Sequence, residues 1–218
     1  MTIGSLTKNK QAQLGAIGFV WLVHVSAVIG IFMGYREWFI TKTPMNLLLL
    51  MLVLFIFNPL LDRKSLGVFG LVFLTGFLSE VIGVNTGLLF GDYQYGNNLG
   101  PKIAGVPLLI GINWAVLVVA TAEITRETRM NILLKAALAA GLMVLLDFFI
   151  EPLAPALDFW TWTYGHPPAF NYITWYIIAF GLTWFYLRSK IAGNKTVALH
   201  IFLSQLFFFC LLNLERVL

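Results

Sequence analysis

The chain has 218 residues, 59% of them hydrophobic and only 11% charged, with a net charge of +4 and a mean hydropathy of +0.85. Water-soluble proteins carry roughly a quarter charged residues, so this composition excludes a soluble globule and places the chain in a bilayer as an all-α polytopic protein, one transmembrane helical domain over residues 1–218. Its single cysteine, Cys210, excludes an internal disulfide framework and a thiolate metal site. Its basic residues are scattered among short loops, which excludes a nucleic-acid surface.

Apolar windows fall at Leu14–Gly34, Asn46–Leu61, Leu66–Asn85, Val106–Ala122, Ile132–Ile150, Tyr172–Leu187 and Val197–Leu214. The first follows a short polar start with Lys8 and Lys10 and shows no small-residue cleavage pattern, so it reads as a retained helix. The second and sixth are short. About seven spans alternate sides of the membrane, and with the N-terminus inside, the inner segments hold Lys8, Lys10, Arg63, Lys64, Arg126, Arg129, Lys135, Arg188, Lys190 and Lys195. The opposite side holds Arg36, Lys42, Lys102 and Arg216. That asymmetry predicts an N-in, C-out multi-pass protein of the cell (inner) membrane. Glycines in the first, third and fourth windows suit close helix packing.

Two stretches stand out, at Glu80–Pro107 and Asp147–Trp175, and both fall on the outer side in this topology. They contain Glu80, Asp92, Asp147, Glu151 and Asp158, half of the ten acids. Asp147 and Glu151 are four residues apart and share a helix face, after which Pro152 ends the helix. Ionisable groups inside hydrocarbon are costly and mark functional sites by default, although Glu151 at the boundary is also compatible with an interfacial acid reaching water. Glu80 has apolar neighbours on both sides along the chain. Desolvation favours the proton-bearing form of a carboxyl, as a general acid requires; the bland reading is a helix–helix hydrogen bond. Asp92, between glycines in FGDYQYG, fits a turn as well as a site, and Asp158 fits a helix cap. Asn113 and Trp114 are a polar and an aromatic group in an apolar helix, readable as packing or as site. Tyr93, Tyr95, Trp160, Trp162, Tyr164, Tyr172, Trp175 and Tyr176 suit an interfacial belt, yet aromatic faces also stabilise a cation where water is excluded.

Three histidines in separate segments cannot form the clustered boxes of a membrane di-iron enzyme. The sequence has no HExxH, P-loop, dinucleotide fingerprint or GxSxG elbow. It also has no mid-span lysine in the last helix for a retinal Schiff base, and no aspartate-rich motif for diphosphate chemistry. What remains is cofactor-free acid–base chemistry on an apolar substrate, or transport or binding.

The segments GDYQYGNNLGPKIAGVPLLIGINW, DFFIEPLAPALDFWTW and PAFNYITW together resemble the membrane carotenoid hydratase family, which includes haloarchaeal bisanhydrobacterioruberin hydratases and bacterial carotenoid 1,2-hydratases. The resemblance covers roughly Glu80 to Trp175; the flanking helices match only in being apolar. A sequence pI of about 9.3 points to the bacterial branch. The resemblance implies addition of water across the terminal C=C of an acyclic (ψ) end group, giving a tertiary alcohol without a cofactor. It implies a lycopene- or γ-carotene-like substrate and room for association with other carotenoid-pathway enzymes. Position and chemistry nominate Glu80, Asp147, Glu151 and Asp92 as catalytic carboxyls. Tyr93, Tyr95, Asn113, Trp114, Asp158, Trp160, Trp162, Asn171, Tyr172 and Trp175 are nominated as substrate contacts. A carotenoid cyclase, which shares the protonation step, and a small lipid or proton-coupled transporter are the alternatives.

Overall fold

The computed structural model describes residues 9–58, 62–191 and 193–217, without the side chains of 215–217. Lys8, Leu61 and the side chain of Arg216 therefore lie outside the described residues. The chain is mostly helical: α1 (Lys10–Phe32), α2 (Arg36–Ile40), α3 (Thr43–Phe57), α4 (Arg63–Thr86), α5 (Leu108–Arg126), α6 (Ile132–Ile150), α7 (Ala169–Arg188) and α8 (Lys195–Val217). Helix starts are set by side-chain caps. Asn9 accepts from the backbone N–H of Gln11 and Ala12, Asp62 from those of Lys64 and Ser65, and Asn131 from that of Leu134. Gly87, with φ of 69°, closes α4 in the left-handed conformation that favours glycine.

Among the described residues five helices, α1, α4, α5, α6 and α8, are long and apolar enough to cross a membrane. Each expected window holds a helix, and five of the seven expected spans reach that length and apolarity. The apolar α3 has only 15 residues, a length of about 22 Å at 1.5 Å per residue, short of a hydrocarbon core of about 30 Å. Helix α7 has 20 residues, but its three tyrosines and two tryptophans make it less apolar than the five.

Helix α5 runs through the middle, packed by α3, α4, α6, α7 and α8. Its residues 114–123 are all buried, and their predominance of Ala and Val lets neighbouring backbones approach closely. Leucines and isoleucines such as Leu22, Ile29, Leu52, Leu74 and Ile177 are exposed on the outer helices, as a chain solvated by lipid requires.

Contacts between distant loops define two ends. At one, Lys64 Nζ donates to the carbonyl of Ser189 at 2.6 Å, Asn194 N donates to Asn58 Oδ1 at 3.0 Å, and Lys195 pairs with Glu127 at 3.3 Å. At the other, Asn98 Nδ2 donates to the carbonyls of Ile40 and Leu157, each at 3.0 Å.

The second end departs from an all-helical expectation. Here β1 (Tyr93–Tyr95) pairs antiparallel with β4 (Trp160–Trp162), with Tyr93 opposite Trp162 and Tyr95 opposite Trp160. A hairpin of β2 (Lys102–Ile103) and β3 (Val106–Pro107) leads into α5. The β1–β4 ribbon joins the two unusual stretches of the sequence. Side chains alternate across a strand, so Tyr93, Tyr95, Trp160 and Trp162 share its inner face while Gln94 and Thr161 are exposed.

Candidate active site

Under the β1–β4 ribbon lies a chamber whose lining includes Glu80, Asp147, Glu151, Trp114, Asn113, Asn171 and Trp175. Each wall follows from a periodicity. Ile110, Asn113, Trp114 and Leu117 line it from α5 at the i, i+3, i+4, i+7 spacing of one helix face. Met143, Asp147, Ile150 and Glu151 line it from α6 and its cap by the same rule. Helix α4 contributes Glu80, α7 contributes Asn171 and Trp175, and the ribbon contributes its four inward aromatic side chains. Free space for the centres of water molecules is about 40 Å³. One water needs some 10–15 Å³ by that measure, so the chamber holds a few waters and no more.

The three carboxyls are buried, at 2%, 5% and 6% exposure for Glu80, Asp147 and Glu151, and each is held differently. Glu80 Oε2 accepts from the hydroxyls of Tyr93 at 2.5 Å and Tyr95 at 2.8 Å, and its Oε1 accepts from Trp114 Nε1 at 3.0 Å. Burial, reinforced by the charge of Glu80, pushes both phenols up, so both remain hydrogen-bond donors. Glu151 Oε2 accepts from Trp162 Nε1 at 2.7 Å and Trp160 Nε1 at 3.2 Å, while Asn171 Nδ2 approaches its Oε1 at 3.5 Å. Burial pushes the Glu151 carboxyl up to about 7, against the opposing pull of the two indole N–H groups. Asp147 Oδ2 is the buried side-chain polar atom without a hydrogen-bond partner among the described residues.

The aromatic wall is ordered by packing. Trp114 and Trp175 stack with centroids 3.8 Å apart and planes 18° from parallel, and Tyr93 lies 4.9 Å from Trp162. Glycines of α4 make this possible. A Cβ at Gly76 would lie 2.5 Å from Trp114 Cγ, and one at Gly83 would collide with Phe90 and come within 3.1 Å of the Tyr93 hydroxyl. Gly67 and Gly70 on the same helix have open space, so the packing read from the glycines of that window belongs only to its C-terminal half.

A second cavity, of about 270 Å³, adjoins the chamber and shares Ile110, Asn113, Ile150 and Trp160 with it. Its other walls come from α1, α2, α3 and the C-terminal half of α8 and include Trp38, Phe39, Leu47, Phe208 and Phe209. It is predominantly apolar.

Not every residue singled out in the sequence reaches this place. Asp92 is exposed and lies against Gly87, where its carboxyl would meet a Cβ. Asp158 is also exposed. It adopts a left-handed conformation with φ of 53° and holds Asn97 N at 3.0 Å. Both acids serve the turns at the ends of the ribbon. Tyr172 contacts Phe148 and is not among the chamber-lining residues. The sequence reading missed Phe90, Ile110, Leu117, Met143 and Ile150 on the chamber wall; all but Phe90 were accessible from the helix faces of Trp114 and Asp147. It also missed Glu123, which is 1% exposed at the opposite end of α5. Arg126 pairs with Glu123 at 2.9 Å and Tyr186 donates to it at 3.0 Å. No group of three or more potential metal ligands occurs among the described residues.

The chain is thus a helical membrane protein with acids and aromatic rings gathered at one end of the bundle, beside an apolar cavity. The family described as "carotenoid biosynthesis protein" matches residues 42–217, and the chain belongs to it. It is also similar to bisanhydrobacterioruberin hydratase of Haloarcula japonica, with 31% identity over 128 residues, covering 54% of this chain and 43% of that protein. The chain thus matches less than half the length of that relative. No solved structure matches the chain.

Proposed function

We propose that the protein is a cofactor-free carotenoid hydratase, adding water across the terminal C=C of an acyclic end group to give a tertiary alcohol. The observation carrying this reading is the convergence of three buried carboxyls on a water-sized chamber that shares part of its wall with an apolar cavity. Family membership and the name of the haloarchaeal relative support it.

The end group lies in the apolar cavity and presents its terminal alkene to the chamber at Ile110 and Ile150, which line both. Asp147 delivers its proton to the less substituted alkene carbon, because its Oδ2 has no other partner and a general acid must present its proton to the substrate. The positive charge develops on the tertiary carbon. The stacked pair of Trp114 and Trp175 turns one outer ring face to it, and Glu80, fixed by three donors, opposes it electrostatically in a site with little water to screen the charge. Glu151 takes a proton from a chamber water as the water oxygen bonds to the cation. One proton leaves Asp147 and one arrives at Glu151, so the net change is alkene plus water to alcohol. Asp147 and Glu151 lie on one helix face, and exchange through water between them restores the starting state. Asp92, Asp158 and Tyr172 have no part in this scheme.

The test is pigment analysis, by chromatography with mass spectrometry, of a lycopene- or γ-carotene-accumulating bacterium expressing the chain. A product heavier by one water, lost in Glu80→Gln and Glu151→Gln at equal expression, is the expected result. An isomer of unchanged mass would instead identify a cyclase, which quenches the same cation by ring closure and proton loss. An unchanged pigment profile with well-expressed protein and both substrates present overturns the reading.

A further inference from the structure

The apolar cavity beside the chamber is not uniformly apolar. His24 from α1, Asn46 from α3 and Gln205 from α8 all line it, and His24 and Gln205 are themselves 2% and 5% exposed. Three polar side chains from three helices converge where hydrocarbon would suffice to hold a hydrocarbon. Buried polar groups cost free energy unless hydrogen-bonded, and these are bonded poorly to one another. His24 Nδ1 lies 2.8 Å from the carbonyl of Val20. A carbonyl only accepts, so Nδ1 carries the hydrogen and Nε2 presents a lone pair. The group facing that lone pair is Asn46 Nδ2 at 3.4 Å, beyond the usual range of about 2.7–3.2 Å for a good bond. Gln205 Nε2 reaches the carbonyl of Ile201 at 3.3 Å, and its Oε1 has no hydrogen bond among the described residues. The trio therefore holds spare capacity of both kinds, an imidazole acceptor together with amide donors and acceptors.

We propose that His24, Asn46 and Gln205 form a polar subsite that binds a hydroxyl group already present on the isoprenoid chain of the substrate. A hydroxyl donates once and accepts twice, which matches an imidazole nitrogen beside two amides. The cavity is only about 270 Å³ and shares four walls with the chamber, so the oxygen read here lies on the same end of the molecule as the reacting double bond. A site built to hydrogen-bond a substrate hydroxyl discriminates against the analogue lacking it, because its polar groups are then left unpaired. An acyclic carotenoid oxygenated near the reacting terminus is thereby the preferred substrate, and an unoxygenated one such as lycopene is a weaker substrate of the same site. This inference rests on the proposed reading of the chamber as the reacting site.

Two C10 probes isolate the hydroxyl. Linalool and the hydrocarbon 3,7-dimethylocta-1,6-diene share the same dimethyl-substituted terminal alkene and differ in one oxygen, a tertiary hydroxyl close to that alkene. Their binding to the purified protein in nanodiscs is measured by intrinsic tryptophan fluorescence and by the ligand-induced rise in Tm, for wild type, His24→Leu, Gln205→Leu and Asn46→Leu. The expected result is about tenfold tighter binding of linalool by wild type, equal to roughly 1.4 kcal/mol, falling to about twofold or less in His24→Leu and Gln205→Leu, with binding of the hydrocarbon retained. Equal binding of both probes by wild type overturns the proposal. So does a linalool preference that survives all three substitutions, since it would then reflect partitioning into lipid. Water addition to lycopene, read separately by mass, divides the two readings. A trio-dependent linalool preference without hydration leaves the subsite standing and removes the hydratase; hydration without the preference does the reverse.

Discussion

Replacing Asp147 by Asn separates chemistry from folding more cleanly than any other change in the chamber. The two side chains have nearly the same shape, so the walls formed by Met143, Ile150 and Trp114 keep their packing. Asp147 Oδ2 has no hydrogen-bond partner to lose, so the stability change is roughly 1 kcal/mol or less, within the range of a single net hydrogen bond. For a chain of this size that is about 2–4 °C in Tm. The effect on catalysis is of a different order, because an amide cannot deliver the proton. Loss of a positioned general acid costs about 10²–10⁴-fold in rate, or roughly 3–5 kcal/mol in the barrier at 1.36 kcal/mol per decade. The assay pairs thermal unfolding in nanodiscs with timed mass-spectrometric detection of the hydrated carotenoid at matched protein levels. Hydration within threefold of wild type would refute the assignment of Asp147 as proton donor. A Tm lowered by more than about 10 °C would refute the reasoning that the chamber tolerates the swap.

Tyr93→Phe and Tyr95→Phe each remove one donor from Glu80 Oε2. At roughly 1.5–3 kcal/mol for a hydrogen bond to a charged group, each should slow hydration tenfold to a hundredfold, with the double variant slower than either; rates unaffected by both changes would contradict the role given to Glu80. Glu151 must be ionised to accept a proton, and burial sets its carboxyl at about 7, so the rate should rise with pH through about 7 and the limb should vanish in Glu151→Gln. The linked stability runs the other way. A carboxyl raised on folding holds its proton more tightly in the folded state, so its contribution to stability is full below the usual carboxylate range and declines as pH rises towards about 7, a trend that a series of Tm measurements against pH would check. Gly83→Ala drives a methyl into Phe90 and against the Tyr93 hydroxyl, and overpacking of this kind costs about 1–3 kcal/mol, visible as a Tm lowered by several degrees. Glu123→Gln breaks the buried pair with Arg126 and should destabilise by roughly 3 kcal/mol, the low end for such pairs because Arg126 is partly exposed, while leaving the identity of the carotenoid product unchanged in mass analysis.

The solvent and the helices were legible in composition and hydropathy pattern alone. Too few charges to coat a soluble surface left only the bilayer, and each apolar window does hold a helix, because a backbone in lipid must satisfy its own hydrogen bonds. The sequence also reached part of one chamber wall, since the spacing of Asp147 with Glu151 fixes a shared face on any helix. The tertiary structure decided what those faces meet. Strands of three residues, Tyr93–Tyr95 and Trp160–Trp162, carry too little local preference to announce themselves, and their pairing depends on contact across some 67 residues of chain. That pairing turns four aromatic residues of an apparent interfacial belt into donors for Glu80 and Glu151. It also leaves Asp92 and Asp158 outside, as turn-forming acids at the ribbon's ends. Composition could say that acids lay near one end of a helical bundle. Which of them lost water and which kept it was set by strand register and helix packing, and these are properties of distant residues brought together.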